Sequence, residues 1–280
     1  MKKIAVFILC LFFLPVEIFA AERSFQPLAV KAAMLVEMNT GKVLYQQNAD
    51  KVIQPASLSK IMSLYLISED IAEKKAGYSD IVTISANAVQ TGGSKMLFEP
   101  GVQYEVLDLV KGMAIHSAND ASVALAEHFG GNVEQFVMRM NAKAKALGMK
   151  HTHFVNPHGL PNRKQKTTAR DIYMLSREYL RRFPNSQKIH SIERFTFNNQ
   201  ILTNRNDLLD KYPGANGLKT GYVGAAGFHL VATAIRGGTR LMAVVLGAKN
   251  PRIRSQQARK LLDYGFGRIG EKNTKNRIGG

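Results

Sequence analysis

The chain is short of cysteine, short of acidic residues and free of long apolar runs beyond its first residues. Its single cysteine is Cys10. Around it, Lys2-Lys3 precedes apolar residues from Ile4 to Leu14, and small residues follow at Ala20-Ala21. This order reads as a secretory signal peptide over residues 1–20, because the apolar stretch falls short of the ~20 residues a spanning helix needs. The mature chain then has no thiol. That excludes a cysteine nucleophile, a thiolate metal site and a disulfide framework, and leaves an exported fold to rest on its apolar core. Asp and Glu number 21 against 38 Lys and Arg, for a formal net charge of +17. In an exported protein this charge favours an anionic membrane or wall surface as partner, and no nucleic acid is expected.

Further absences narrow the chemistry. No His-Glu-x-x-His occurs, and His151-x-His153 is the only close histidine pair, so a zinc peptidase site is not expected. No serine has glycine at both the −2 and +2 positions, which argues against an α/β-hydrolase elbow. Between Leu147 and Gly217 there is no Glu-x-x-x-Asn, the arrangement a class A β-lactamase needs for deacylation. With no internal repeat and no Pro/Ser-rich linker, residues 21–267 read as one domain. Residues 268–280 read as a basic, frayed tail.

The hydrophobic period changes twice along the chain. Ala32 to Glu37 and Val43 to Gln46 flank Asn39-Thr40-Gly41, which reads as a hairpin with a turn suited to positive φ. From Ser57 to about Arg181 the pattern is helical, with segments at Val106 to Ile115, Asp120 to Phe129 and Asn132 to Leu147; Asp120 is the expected N-cap of the second. Strand-like runs return at Arg194 to Phe197, Gly217 to Tyr222, Phe228 to Ile235 and Leu241 to Gly247, with a Gly237-Gly238 turn between the last two. A final helix is expected from Arg252 to Phe266. Strands at both ends with helices between them predict an α+β fold: an antiparallel sheet flanked by helices, with a mostly helical insertion.

What is present in this frame is an ordered trio: Ser57-Leu58-Ser59-Lys60, Ser117-Ala118-Asn119 and Lys219-Thr220-Gly221. Residues three apart share a helix face, which sets Lys60 about 5–6 Å from Ser57. Free N–H groups and the positive dipole end at the helix start favour an alkoxide at Ser57. The apolar neighbours Leu58, Ile61 and Met62 desolvate the Lys60 ammonium and lower its pKa toward that of a working base. Ser85-Ala86-Asn87 carries the same three letters as the second motif. It follows a strand-like run and opens a short polar helix, where a serine cap explains it, so Ser117 and Asn119 are the catalytic candidates. Ser117 is placed to relay a proton between Lys60 and a leaving amine, and Asn119 to hold Lys60 and substrate backbone. Lys219, Thr220, Gly221 and Tyr222 begin a strand whose edge can pair with an extended peptide, Gly221 allowing close approach. The N–H groups of Tyr222 and Ser57 are the expected oxyanion hole.

The three motifs, with Asn156-Pro157-His158-Gly159-Leu160-Pro161, Thr167-Thr168-Ala169-Arg170-Asp171, Thr203-Asn204-Arg205-Asn206 and Ala225-Ala226-Gly227-Phe228, resemble the D-alanyl-D-alanine carboxypeptidase family of low-molecular-mass penicillin-binding proteins, from about Ala32 to Phe266. The resemblance implies a β-lactamase/transpeptidase-like fold with no cofactor and no metal. It implies removal of the terminal D-alanine from peptidoglycan stem pentapeptides through an acyl-enzyme on Ser57, with β-lactams as covalent inhibitors. Arg205 would help hold the terminal carboxylate of the substrate. Val223 and Lys249 depart from the family's usual small hydroxylated residue and arginine. Because the chain ends soon after Phe266, the expectation is an exported, periplasmic or envelope-associated enzyme without a C-terminal anchor or β-rich second domain. A D,D-endopeptidase acting on cross-links and a non-catalytic β-lactam or wall-binding sensor are the alternatives.

Overall fold

A computed structural model describes the backbone of residues 25–278 and the side chains up to residue 270; the signal-peptide reading of residues 1–20 lies outside the described residues. The strands are β1 (Ala32–Glu37), β2 (Val43–Gln47), β3 (Ile81–Thr83), β4 (Gln103–Glu105), β5 (Arg194–Phe197), β6 (Gln200–Thr203), β7 (Ala215–Val223), β8 (Gly227–Arg236) and β9 (Thr239–Ala248). The helices are α1 (Ser59–Ala72), α2 (Ala86–Gln90), α3 (Val106–Lys111), α4 (Asn119–Gly130), α5 (Val133–Ala146), α6 (Ala169–Arg182), α7 (Ser186–His190) and α8 (Pro251–Ile278).

The main sheet has the order β2-β1-β9-β8-β7, with antiparallel neighbours throughout. Alternate side chains leave a strand on opposite faces, and the two faces enter two cores. Ala32, Met34, Val36, Val231, Met242 and Val244 join the larger core, with α1 and the helical insertion. Ala33, Leu35, Leu230, Ala232, Ala243 and Val245 pack with Ala258, Leu261 and Leu262 of α8. The sheet is thus covered on both sides, and β7 is left as one of its two edges. The β1–β2 turn follows the predicted chemistry: the Glu37 carboxylate accepts the N–H groups of Asn39 and Thr40, and Gly41 takes φ +75°.

Helix α1 is buried from Ser59 to Asp70, its polar Ser59, Lys60, Ser63, Ser68, Glu69 and Asp70 included. A 3-10 turn at Ala56–Leu58 precedes it, and Ala56 takes φ +50°.

Several elements differ from the sequence reading. Asp120 does not cap α4; the cap position is Ala118, and the buried Asp120 carboxylate instead accepts the N–H groups of Met96 and Leu97 and of Ala121. A short acidic side chain near a helix start serves equally to anchor a neighbouring loop, and sequence does not distinguish these uses. The stretch after α3 winds as a π-helix over Gly112–His116. Strands β4 and β6 are too short to show a period. Helix α8 continues past Phe266 to Ile278, over the tail read as frayed; with no proline there, the backbone has no obligatory stop.

Candidate active site

Ser57, the middle residue of the 3-10 turn, is partly exposed, whereas Lys60 one turn on is fully buried. Lys60 Nζ lies 3.3 Å from Ser57 Oγ, 2.7 Å from Asn119 Oδ1 and 2.6 Å from the main-chain oxygen of His158. These three partners fit a neutral amine. Its two N–H groups donate to the two carbonyl oxygens, and its lone pair is left to accept the Ser57 hydroxyl proton. Burial, reinforced by the charges of Lys219 and Arg205, pushes the Lys60 pKa well below 10.5, while Asp120 pulls the other way.

Each partner is held in turn. Asn119 Nδ2 donates to the Gly92 oxygen at 2.6 Å, and the Asn119 N–H donates to the Ser94 oxygen at 2.7 Å. Asp120 ties down Met96 and Leu97 of the same loop. Gly159 N–H donates to Asn156 Oδ1 at 2.7 Å, which turns the His158 oxygen toward the lysine. The His158 ring accepts the Leu160 N–H through Nδ1 and is held neutral, its pKa pushed down to about 3 by burial and the nearby Lys60.

A cleft of about 820 Å³ opens between this cluster and the free edge of β7. Ser57, Ser117, Asn119, Thr220, Gly221, Tyr222 and Arg205 all line it. Ser117, directly after the π-helix and two residues before α4, is held at φ +66° in the left-handed region, a conformation uncommon for serine and frequent at functional sites. Ser85 sits elsewhere as the N-cap of α2, accepting the Ala88 N–H and donating to Glu127.

Gly221 packs against the serine turn: a Cβ there would stand 3.2 Å from Ser57 N and from Ala56 Cβ. A side chain here would press the serine turn back by a few tenths of an ångström, so glycine suits this close approach of β7. Lys219 is buried beneath the strand, and burial together with Arg205 and Arg254 lowers its pKa to about 7.

Three groups that shape the candidate site were not assigned from sequence. The His158 oxygen lay within a quoted motif but carried no side-chain signal. Asp120 was read as a cap. Arg254 of α8 is buried in the cleft wall, where its Nη2 donates to Asp207 Oδ1 at 2.8 Å and to the Arg205 oxygen at 3.4 Å. An arginine in the second turn of a distant helix offers no local clue. Among the described residues no group of three or more His, Cys, Asp or Glu is placed to hold a metal ion, and no helix is long and apolar enough to cross a membrane.

Residues 19–250 match the model of a family described as D-alanyl-D-alanine carboxypeptidase. The chain is 42% identical over 247 residues to the D-alanyl-D-alanine carboxypeptidase DacF of Bacillus subtilis, covering 84% of this chain and 62% of that protein. It is 42% identical over 257 residues to DacC of Escherichia coli, covering 89% and 64%. It therefore spans less than two thirds of the length of these relatives. Penicillin binding protein 5 from Haemophilus influenzae superposes with a TM-score of 0.85 at 37% identity, covering 87% of this chain and 72% of that one. Penicillin-binding protein D2 from Listeria monocytogenes, in its ampicillin-bound form, gives 0.78 at 32% identity, covering 85% and 98%.

Proposed function

The chain belongs to the D-alanyl-D-alanine carboxypeptidase family, and on that premise we propose that it removes the terminal D-alanine of peptidoglycan stem pentapeptides through an acyl-enzyme on Ser57. The observation that carries this reading is the buried Lys60 amine, 3.3 Å from Ser57 Oγ, with two carbonyl oxygens occupying its donors.

In the first half-reaction neutral Lys60 takes the Ser57 proton as Oγ attacks the carbonyl of the penultimate D-alanine. The developing oxyanion is held by the N–H groups of Ser57 and Tyr222. The proton passes by way of Ser117 to the leaving amine, the C–N bond breaks, and free D-alanine departs. In the second half, Lys60 deprotonates a water that attacks the ester, and the proton returns to Ser57. The substrate lies extended along the β7 edge, with Asn119 and the strand backbone as its partners. Its terminal carboxylate is met by Thr220, Lys219, Arg205 and Arg254, in a cleft where burial strengthens every charge–charge contact.

The same cleft accepts β-lactams, whose carboxylate and acyl carbonyl present the same pair of groups; the ampicillin-bound Listeria relative supports this. Export, with residues 1–20 removed and residues 21–267 forming the enzyme, follows from the N-terminal pattern.

Product analysis on isolated peptidoglycan, wild type beside Ser57→Ala, tests the reading. D-alanine release by wild type alone is the expected result. A protein that is labelled by penicillin at Ser57 yet neither releases D-alanine nor cleaves cross-linked dimers is a sensor, and the hydrolytic reading fails.

A further inference from the structure

Helix α8 turns a polar stripe toward the cleft. Arg252, Ser255, Gln256 and Arg259 follow one another at i, i+3, i+4 and i+7, and all four line the cavity. Ala258, Leu261 and Leu262 of the same helix are buried against the sheet. On a helix that packs on a sheet, this spacing marks a single face. Here that face is cationic, although Arg205 and Arg254 already line the cleft. Among the described residues Asp207 is the only acidic side chain lining the cavity, and it is engaged by Arg254.

A solvated basic face would keep its donors in water. One of these donors is not in water: Nε of the half-buried Arg259 is buried without a hydrogen-bond partner, while Arg252 and Gln256 are exposed beside it. Buried guanidinium donors left unpaired beside an open cavity are costly unless an anion completes them. One substrate carboxylate, held by Arg205 and Arg254, does not extend to Arg252 and Arg259.

We propose that the α8 stripe, Arg252 and Arg259 with Gln256, is a second anion subsite on the leaving-group side of the cleft, and that it takes an acidic peptide leaving group, the second stem of a D-alanyl cross-link. This inference rests on the reading above, which puts the carboxylate of the leaving residue at Arg205, the neighbour of Arg254. Where the leaving amine belongs to another stem peptide, the leaving group carries further carboxylates beyond the one next to the scissile bond. The α8 arginines meet these. The chemistry is otherwise unchanged. The bond between the D-alanine carbonyl and the second stem's amine breaks, an ester to Ser57 Oγ forms, the serine proton goes to the amine, and water then cleaves the ester.

The test measures kcat/KM on a purified pentapeptide monomer and on a purified cross-linked muropeptide dimer, following products by chromatography. Wild type is expected to cleave both. In Arg259→Ala and in Arg252→Ala the ratio of dimer to monomer kcat/KM is expected to fall about 5–10-fold, with partial recovery in Arg259→Lys. Labelling of Ser57 by a fluorescent penicillin reports whether each variant is folded; if Arg259→Ala is not labelled, Arg252→Ala, at an exposed position, decides. Equal losses on the two substrates overturn the subsite. So does a wild type that releases D-alanine from the monomer but leaves the dimer intact. A wild type inactive on both substrates instead removes the hydrolytic reading on which the subsite rests.

Discussion

Asn119 and His158 hold the Lys60 amine between them, the side-chain oxygen of one at 2.7 Å and the main-chain oxygen of the other at 2.6 Å. Asn119 opens α4, whereas His158 lies in the loop between α5 and α6, so two separate segments use up the donors of one buried amine. Both acceptors are uncharged. They orient the amine without stabilising its ammonium form as a carboxylate would.

Asn119→Asp puts a negative charge in contact with Lys60. An opposite charge favours the ionised form, so the Lys60 pKa rises and the acidic limb of the kcat/KM profile moves to higher pH, by about one unit or more. At pH 7 the loss is expected to be about tenfold or greater. A pH–rate profile superimposable on that of wild type would contradict the role given to the neutral amine.

Lys60→Arg replaces the neutral amine by a permanent cation that cannot act as a base, since guanidinium does not deprotonate in proteins. Acylation is expected to slow by about 10²–10⁴-fold, the usual worth of a general base. The rate of Ser57 labelling by a fluorescent penicillin measures it directly. Near-normal labelling would remove Lys60 from the mechanism.

Lys219 is a buried amine whose protonation works against folding. Its pKa is about 7 in the folded protein against 10.5 ordinarily, so between these values the unfolded chain holds a proton that the folded chain lacks. Stability from this group therefore rises with pH across that window and is lowest below about pH 7. Lys219→Met is expected to raise Tm by several degrees at pH 6, with a smaller gain at pH 10, while D-alanine release falls sharply. Thermal unfolding of both proteins at the two pH values checks this; a gain that is larger at pH 10 has the wrong sign.

Gly159→Ala attacks the scaffold behind the serine. Gly159 takes φ +90°, and a Cβ there would fall 1.9 Å from the Ala56 oxygen, in the turn that presents Ser57. Overpacking of this kind costs about 1–3 kcal/mol, and the unfavourable φ adds to it. The variant is expected to unfold at lower denaturant and to acylate slowly. A denaturation midpoint equal to wild type would show that the two loops do not press on each other.

Much of the site was legible because its groups lie in short local units. Ser57 and Lys60 are one helical turn apart, and Lys219 to Tyr222 are consecutive on a strand, so spacing alone set their relationship. The choice of Ser117 over Ser85 followed from the elements on either side. What stayed hidden was long-range. Asp120 had the position of a cap and turned out to anchor Met96 and Leu97, because no local rule states which loop will pass over a buried carboxylate. The His158 oxygen was invisible for a plainer reason: every residue has a main-chain carbonyl.

Composition, period and motif order by themselves determined the α+β class and set Ser57 and Lys60 one helical turn apart, since both are properties of neighbours in sequence. Tertiary structure alone decided that α4, the loop holding His158, the loop after β6 and the second turn of α8 converge on one cleft. That convergence comes from burying the two faces of a single sheet. The same burial strips water from Lys60 and Lys219, lowering the pKa of both, and turns the arginines of α8 toward the cavity.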